Sequence, residues 1–453
     1  MFRQLSSLLR RALTISPEDH VPAPVAQHFK HNVLVNTIDL MFFFFADSFW
    51  SIQTIIPVFA ATLTDSPLFI GLMPAIANAG WFLPQLFMSG IVSRERRKLP
   101  LSRKMGIAER IPYLFFPLLA LAIPHLSRSV ALLFLFILMT FRGIASGFSA
   151  LPWQEVMARV FPISHRARVF SISRVMGQLI GVLVTAPDGS AIAALVLSKL
   201  DYPYNYALGF GLAVIAQWIS FTAYSQNHEP EIEEPEPAAS PAAEGLDFAL
   251  FGAILKRDAN LRRYLLARSI TFIGTMGSAF LAVYGINHFG LNDDQAAIFT
   301  GLLFASGLLG YAIWGAVGDR IGPKRMVTIS LILWALALIV ALTSPVIWVY
   351  YLVFVLYGIH NAGISVGDLA LVMELGDDSL RPVYLGMART FTGGFLLVAP
   401  VVAGWLVGNW GYKAMFAASI AFTLLGAFFM NQVRDLPRVR QAEPQPTIQT
   451  EEI

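Results

Sequence analysis

Two charges of opposite sign sit inside stretches that are otherwise apolar. Asp47 lies in the run Phe42-Phe-Phe-Phe-Ala-Asp47-Ser-Phe-Trp50-Ser-Ile-Gln53, and Arg142 lies midway along Leu138-Met-Thr-Phe-Arg142-Gly143-Ile-Ala-Ser-Gly147. In a lipid environment each would cost about 2.5 to 3.5 kcal/mol at the centre of a span unless paired or hydrated, so such groups usually serve substrate or ion passage. Asp39 lies two turns before Asp47 and about 80° round a helix axis, so the two carboxylates could face one cavity. Gln53, Asn78, Gln85, His360 and Asn361 are further polar candidates for its lining, although each alone would equally serve as an interhelical hydrogen bond worth about 0.6 kcal/mol. The bland alternative for Asp47 and Arg142 is an ion pair that only fixes helix packing.

Other chemistries are excluded by what is missing. The chain has no cysteine, hence no disulfide, thiolate ligand or thiol nucleophile. No Gly-x-x-x-x-Gly-Lys-Ser/Thr phosphate loop is present, and no histidine-rich cluster or nucleophile with its base falls within the apolar runs, so neither ATP hydrolysis nor another enzyme activity is expected. No metal or cofactor is expected either.

The elements that must position these groups are membrane helices. Hydrophobic residues make up 56% of the 453, charged residues only 13%, and mean hydropathy is +0.62. The apolar residues come in runs long enough to cross a hydrocarbon core of about 30 Å. They predict an all-α membrane protein with spans over 33–61, 68–92, 105–124, 129–156, 168–198 and 205–226, then 263–287, 294–317, 326–344, 346–373, 383–408 and 411–431. The domain reading is therefore a tail (1–32), a six-helix bundle (33–226), a linker (227–262), a second six-helix bundle (263–431) and a second tail (432–453). Within the linker, Glu229, Glu231, Glu233, Glu234 and Glu236 alternate with prolines, a composition unable to bury a core. Leu246, Phe248, Leu250, Phe251 and Leu255 ahead of Lys256 and Arg257 read as a surface-lying amphipathic segment.

Basic residues set the expected topology. Lys and Arg crowd the tails and loops on the side of the termini, whereas the opposite loops hold only Arg128, Lys199 and Lys413. Both termini are thus expected in the cytoplasm, in a plasma (inner) membrane. The net charge of +3 reflects this placement rather than affinity for nucleic acid. Phe2, Leu5, Leu8 and Leu9 among Arg3, Arg10 and Arg11 read as an interfacial segment that is retained.

The two halves repeat. Arg166 and Arg174 have the same spacing as Arg381 and Arg389, Gly143 falls on Gly358 at that offset, and Ser66-Pro-Leu-Phe-Ile-Gly71-Leu corresponds to Ala296-Ala-Ile-Phe-Thr-Gly301-Leu. Between the eighth and ninth spans lies Gly315-Ala-Val-Gly318-Asp319-Arg320-Ile-Gly322-Pro323-Lys324-Arg325. This segment closely resembles the cytoplasmic signature loop of the major facilitator superfamily. The equivalent place in the first half, Ser93-Arg94-Glu95-Arg96-Arg97-Lys98, keeps the basic charge and lacks the Gly-Asp-Arg core.

The resemblance implies that family's fold, twelve helices in two pseudo-symmetric bundles, and transport by alternating access. It implies that the first and fourth helices line the central cavity, which makes Asp47 with Arg142 the most economical pair. Protonation of Asp47 would then free Arg142 for an anionic substrate group. It also implies gating roles for Asp319, Arg320 and Arg325. Arg174 and Arg389, about 9 Å into the fifth and eleventh helices, are read as gate ion pairs with Glu155, Asp368 or Glu374 as partners. Trp50 and Trp153 could touch an apolar substrate.

The expected function is proton-coupled movement of a small organic solute by a protein acting as a monomer. Gly177-Gln-Leu-Ile-Gly181 through Pro187 and Asp188 partly resembles the Gly-Pro motif of antiporters and favours export. The Glu374-to-Arg381 spacing resembles sugar-porter loops and keeps an uptake symporter or a uniporter open. A receptor or scaffold with the same fold would show a blocked cavity.

Overall fold

A computed structural model describes residues 21–184, 200–230, 248–375 and 381–434. Among these residues the chain forms twelve helical spans, six in each half. The first half contains Ala23–Trp50 continued by Ile55–Leu63, then Pro67–Arg94, Lys98–Ala122, Arg128–Val160, Ile163–Val184 and Tyr204–Ser225. The second contains Ala259–Gly274 continued through Thr275–Phe280 to Leu281–Phe289, then Gln295–Ile321, Pro323–Thr343, Ile347–Leu375 and Arg381–Asn431. Gly411, at φ 80°, divides this last stretch into the eleventh and twelfth spans. The short helix Phe248–Arg257 precedes the seventh span; the acidic part of the linker, the first twenty residues and Pro187 with Asp188 lie outside the described residues.

Exposed apolar side chains identify lipid as the solvent. Phe141 is 64% exposed, Leu133 57% and Phe428 60%, each on an outer helix face, which a water-facing surface of this size would not tolerate. Nine described helices are long and apolar enough to cross a bilayer. The first helix begins at Ala23, with Pro22 and Pro24 at its start, so it extends well into the stretch read from sequence as a tail.

Two spans are interrupted at equivalent places. In the first, Pro57 has no N–H for the Gln53 carbonyl and its ring crowds that turn; the helix stops at Trp50 and resumes at Ile55. In the seventh, the helix tightens at Gly274, whose carbonyl accepts hydrogen bonds from Trp334 Nε1 (2.9 Å), from Ser419 Oγ and from Thr423 Oγ1 (3.3 Å). Interrupted helices at the middle of repeat-related bundles are how secondary transporters build sites.

Small residues bring spans together. Gly143 of the fourth span lies on Gly80 of the second, and Gly358 of the tenth lies on Ser306 and Gly307 of the eighth, so the repeat-equivalent glycines make equivalent contacts. Between the halves, Gly71 meets the Pro400 carbonyl and Gly404 meets Pro67 and Leu68. Thr54 and Thr300 hydroxyls are 2.5 Å apart, and Tyr206 Oη donates to Asp293 at 3.0 Å. Chain direction puts all four of these contacts towards the side opposite the termini, where the halves are closed against each other.

Candidate functional site

The interior of the first half carries a belt of polar groups on four spans. Arg142 projects from the fourth span against two aromatic rings. Its guanidinium carbon lies 4.5 Å from the centre of the Trp50 indole and 5.7 Å from that of Tyr113, and its Nε donates to Tyr113 Oη at 3.1 Å. Trp50 is positioned by the end of the first helix segment and is 2% exposed, packed on Tyr113 and Phe116 with both ring centroids at 5.2 Å. Its indole N–H has no hydrogen-bond partner among the described residues. Asp47 stands three residues earlier, on the same helix face, and its charge acts on Arg142 without a direct ion pair.

Asp39 turns to different neighbours. It accepts a 2.5 Å bond from Ser220 of the sixth span and a second bond from the Trp153 indole. The third span adds Glu109 and Arg110, joined at 2.8 Å, both buried, with Arg110 also over the Phe221 ring at 5.4 Å. Arg110 acts on Asp39, and Glu109 acts on Arg142 and Tyr113. These two residues were not among the sequence candidates. Because the third span starts at Lys98 rather than near 105, they lie about 16 Å along the axis instead of at its mouth.

The second half has its own buried pair. Arg268 Nε lies 2.8 Å from Asp368 Oδ1, off the line of the N–H, and Tyr264 Oη donates to the same oxygen at 2.8 Å. Asp368, expected to partner Arg174 or Arg389, is thus engaged by the seventh span, and Arg174 instead lies over the Tyr311 ring of the eighth at 4.8 Å.

A family model for the Major Facilitator Superfamily matches residues 264–451. The gentisate transporter of Corynebacterium glutamicum is 29% identical over 143 residues, which is 31% of this chain and 32% of that protein. The aligned stretch therefore spans about a third of the curated relative. Among solved structures, a mutant of the nucleoside transporter NupG superposes with a TM-score of 0.70 at 14% identity, covering 89% of this chain and 100% of the other. The D-xylose-proton symporter gives 0.65 at 15%, covering 90% and 98%. These two likenesses show the fold. The second half of the chain, residues 264–451, thus matches the major facilitator superfamily in sequence, and the chain as a whole shares the fold of its transporters. It is a multi-pass membrane protein with the fold of those transporters.

In this chain the segment from Gly315 to Arg325 holds a one-residue hinge. The eighth span runs to Ile321 and the ninth starts at Pro323, leaving Gly322 alone between them at φ 87°, a conformation that favours glycine. Lys324 Nζ donates to the Val433 carbonyl at 2.9 Å, tying the hinge to the end of the twelfth span. Arg320 and Arg325 are exposed, and Gly318 packs on Met326. The side chains of Asp319, Arg381 and Arg389 lie outside the described residues.

The remaining candidates are dispersed. His360 is buried, its Nδ1 donating to the Ser330 carbonyl at 2.7 Å, and is stacked on Trp334 at 5.5 Å. Its neighbour Asn361 bonds Tyr357. Gln85 turns back to the Trp81 carbonyl (2.7 Å), Gln53 accepts from Ser51 in the helix break (3.4 Å), and Asn78 and Glu155 are half-buried. Glu374 is exposed. The structure brings Asp47, Arg142 and Trp50 together; it does not bring Asp39 or His360 to them.

Proposed function

We propose that this protein is a proton-coupled secondary transporter of a small organic acid, working by alternating access with both termini in the cytoplasm of an inner membrane, each monomer holding a complete site. The observation that carries the reading is Arg142, held by Trp50 and Tyr113 next to an indole N–H without a hydrogen-bond partner among the described residues and within the field of Asp47. A guanidinium and an adjacent N–H suit a carboxylate, and the flanking rings suit a flat carbon skeleton. The relative named a gentisate transporter, gentisate being an aromatic carboxylate, supports the same class of substrate.

The electrostatics bear on direction. An ionised Asp47 compensates Arg142 and weakens its hold on an anion, whereas protonation leaves Arg142 uncompensated. Proton and anion then bind cooperatively. That favours symport, the alternative to the export suggested by the sequence of the fifth span. Closure on the side away from the termini corresponds to a cytoplasm-facing state, and the Gly322 hinge with Arg320 and Arg325 acts as the latch on the cytoplasmic side.

Flux of labelled gentisate into proteoliposomes is the test. Acid outside should accelerate uptake, and Asp47→Asn should abolish accumulation while preserving exchange of substrate for substrate. Gradient-driven accumulation by Asp47→Asn at the wild-type rate would reject the coupling role; acceleration only by acid on the opposite side would establish antiport.

A further inference from the structure

The first half has a cavity of about 630 Å³ at the end of the bundle that carries the termini, none of whose lining residues is Asp47, Trp50 or Arg142. Its walls bring together His28 and His31 from the first span, Arg97 and Arg103 at the third, and His228 after the sixth. The His228 ring stacks on His28 at 4.4 Å and 6° and meets the edge of His31 at 4.7 Å and 78°.

The wall is built rather than incidental. The segment following the sixth span is strapped across the first: Asn32 exchanges two bonds with the His228 backbone (3.0 and 2.9 Å), and Asn36 donates to Asn227 at 2.6 Å. His31 Nε2 lies 2.9 Å from the Gln226 carbonyl, and Arg103 donates to the Ser225 carbonyl. The carboxylate in this wall, Glu229, is already committed. Its oxygens accept from Lys98 N and Leu99 N at 2.8 Å each, and Arg159 pairs with it at 3.2 Å. The Lys98 ammonium caps the Val92 and Glu95 carbonyls at 2.5 and 2.6 Å. The rest of the described lining includes Arg97, Arg103 and the three imidazoles.

We propose that this cavity binds a phosphate-bearing anion, either a lipid headgroup or free phosphate. The guanidinium of Arg103 provides fixed charge and N–H donors, and His228 adds charge as it protonates. Burial, then the neighbouring His28, His31 and Arg103 charges, hold His228 below the usual histidine range. An anion among these groups offsets that repulsion, so its binding draws in protons and strengthens as pH falls.

The test uses the full-length protein in nanodiscs. Thermal stability and calorimetric binding are measured with inorganic phosphate against chloride of equal ionic strength in phosphatidylcholine discs, and in discs with one third phosphatidylglycerol. Stabilisation by either probe, at least tenfold tighter at pH 6 than at pH 8 and weakened at least tenfold by Arg103→Gln or by His28→Gln with His31→Gln, supports the site. The responding probe identifies the source. No stabilisation by either probe, or stabilisation unchanged in the variants, overturns the proposal. So does phosphate binding that emerges only when Glu231, Glu233, Glu234 and Glu236 are all changed to Gln, because the chain's own carboxylates would then be the occupant. Should a variant fail to fold, His31→Gln alone serves, with the pH dependence as its readout.

Discussion

Arg142 of the fourth span lies 4.5 Å above the indole of Trp50 in the first. A desolvated contact of this kind is worth about 0.5 to 2 kcal/mol, and here it also aims the guanidinium, whose Nε is taken by Tyr113. Trp50→Leu removes both the ring face and the indole N–H. It is expected to weaken gentisate binding about 5- to 30-fold in an equilibrium binding assay, with Trp50→Phe intermediate. Arg142→Lys should cost more, about 100-fold, since an ammonium lacks the planar fork. Wild-type affinity in Trp50→Leu would show that the ring has no part in the site.

The Glu109–Arg110 pair makes a different prediction. Removing one member of a buried pair strands the other and costs about 3 to 5 kcal/mol, whereas removing both is close to neutral. Arg110→Ala is therefore expected to lower the unfolding temperature markedly in detergent, also leaving Asp39 without its compensating charge. Arg110→Met with Glu109→Gln should recover most of the loss. A double variant no more stable than the single would show that the pair does not compensate itself.

The bundle was legible in the sequence because lipid demands long apolar helices, and twelve such runs can be read without any tertiary information. The interruption of the first helix was not. Pro74, Pro84, Pro112, Pro117, Pro152 and Pro400 all sit inside spans that stay helical, so Pro57 alone does not signal a break; what differs is Thr54, held by Thr300 from the other half. Asp47 and Arg142 stood out because each is isolated in an apolar run. Glu109, Arg110 and Arg268 lie close behind the basic clusters at Arg103-Lys104 and Arg262-Arg263, where charges read as loop. Helical rotation gave the angle between Asp39 and Asp47, but only packing shows that one faces Ser220 and the other Arg142.

At the far side, Asp293 reports on closure through pH. Burial pushes its carboxyl above the usual range, the Tyr206 hydroxyl pulls it part of the way back, and Asp294 adds to the rise. The folded protein thus holds this proton more tightly than the unfolded chain, where the value is about 3.8. The contribution is fully present below that value and is lost as pH rises through the raised one. Asp293→Asn keeps an acceptor for Tyr206 without the charge. It should raise the unfolding temperature by about 1 to 2 °C at pH 7, the gain disappearing towards pH 4. A gain independent of pH would assign the effect to packing.

Closure itself depends on how near the second and eleventh spans can come. A Cβ on Gly71 would collide with the Pro400 carbonyl, and backbone cannot yield as a flexible side chain can. Gly71→Val should therefore force the halves apart on the side opposite the termini, shifting the population between the two facing states rather than unfolding either bundle. The chain has no cysteine, so a single Gln53→Cys placed in the first-helix break can report the shift. In the background with Gly71 retained, a membrane-impermeant thiol reagent applied from the far side should react slowly. With Gly71→Val the rate should rise at least tenfold, and an unchanged rate would mean that this contact does not hold the far side shut.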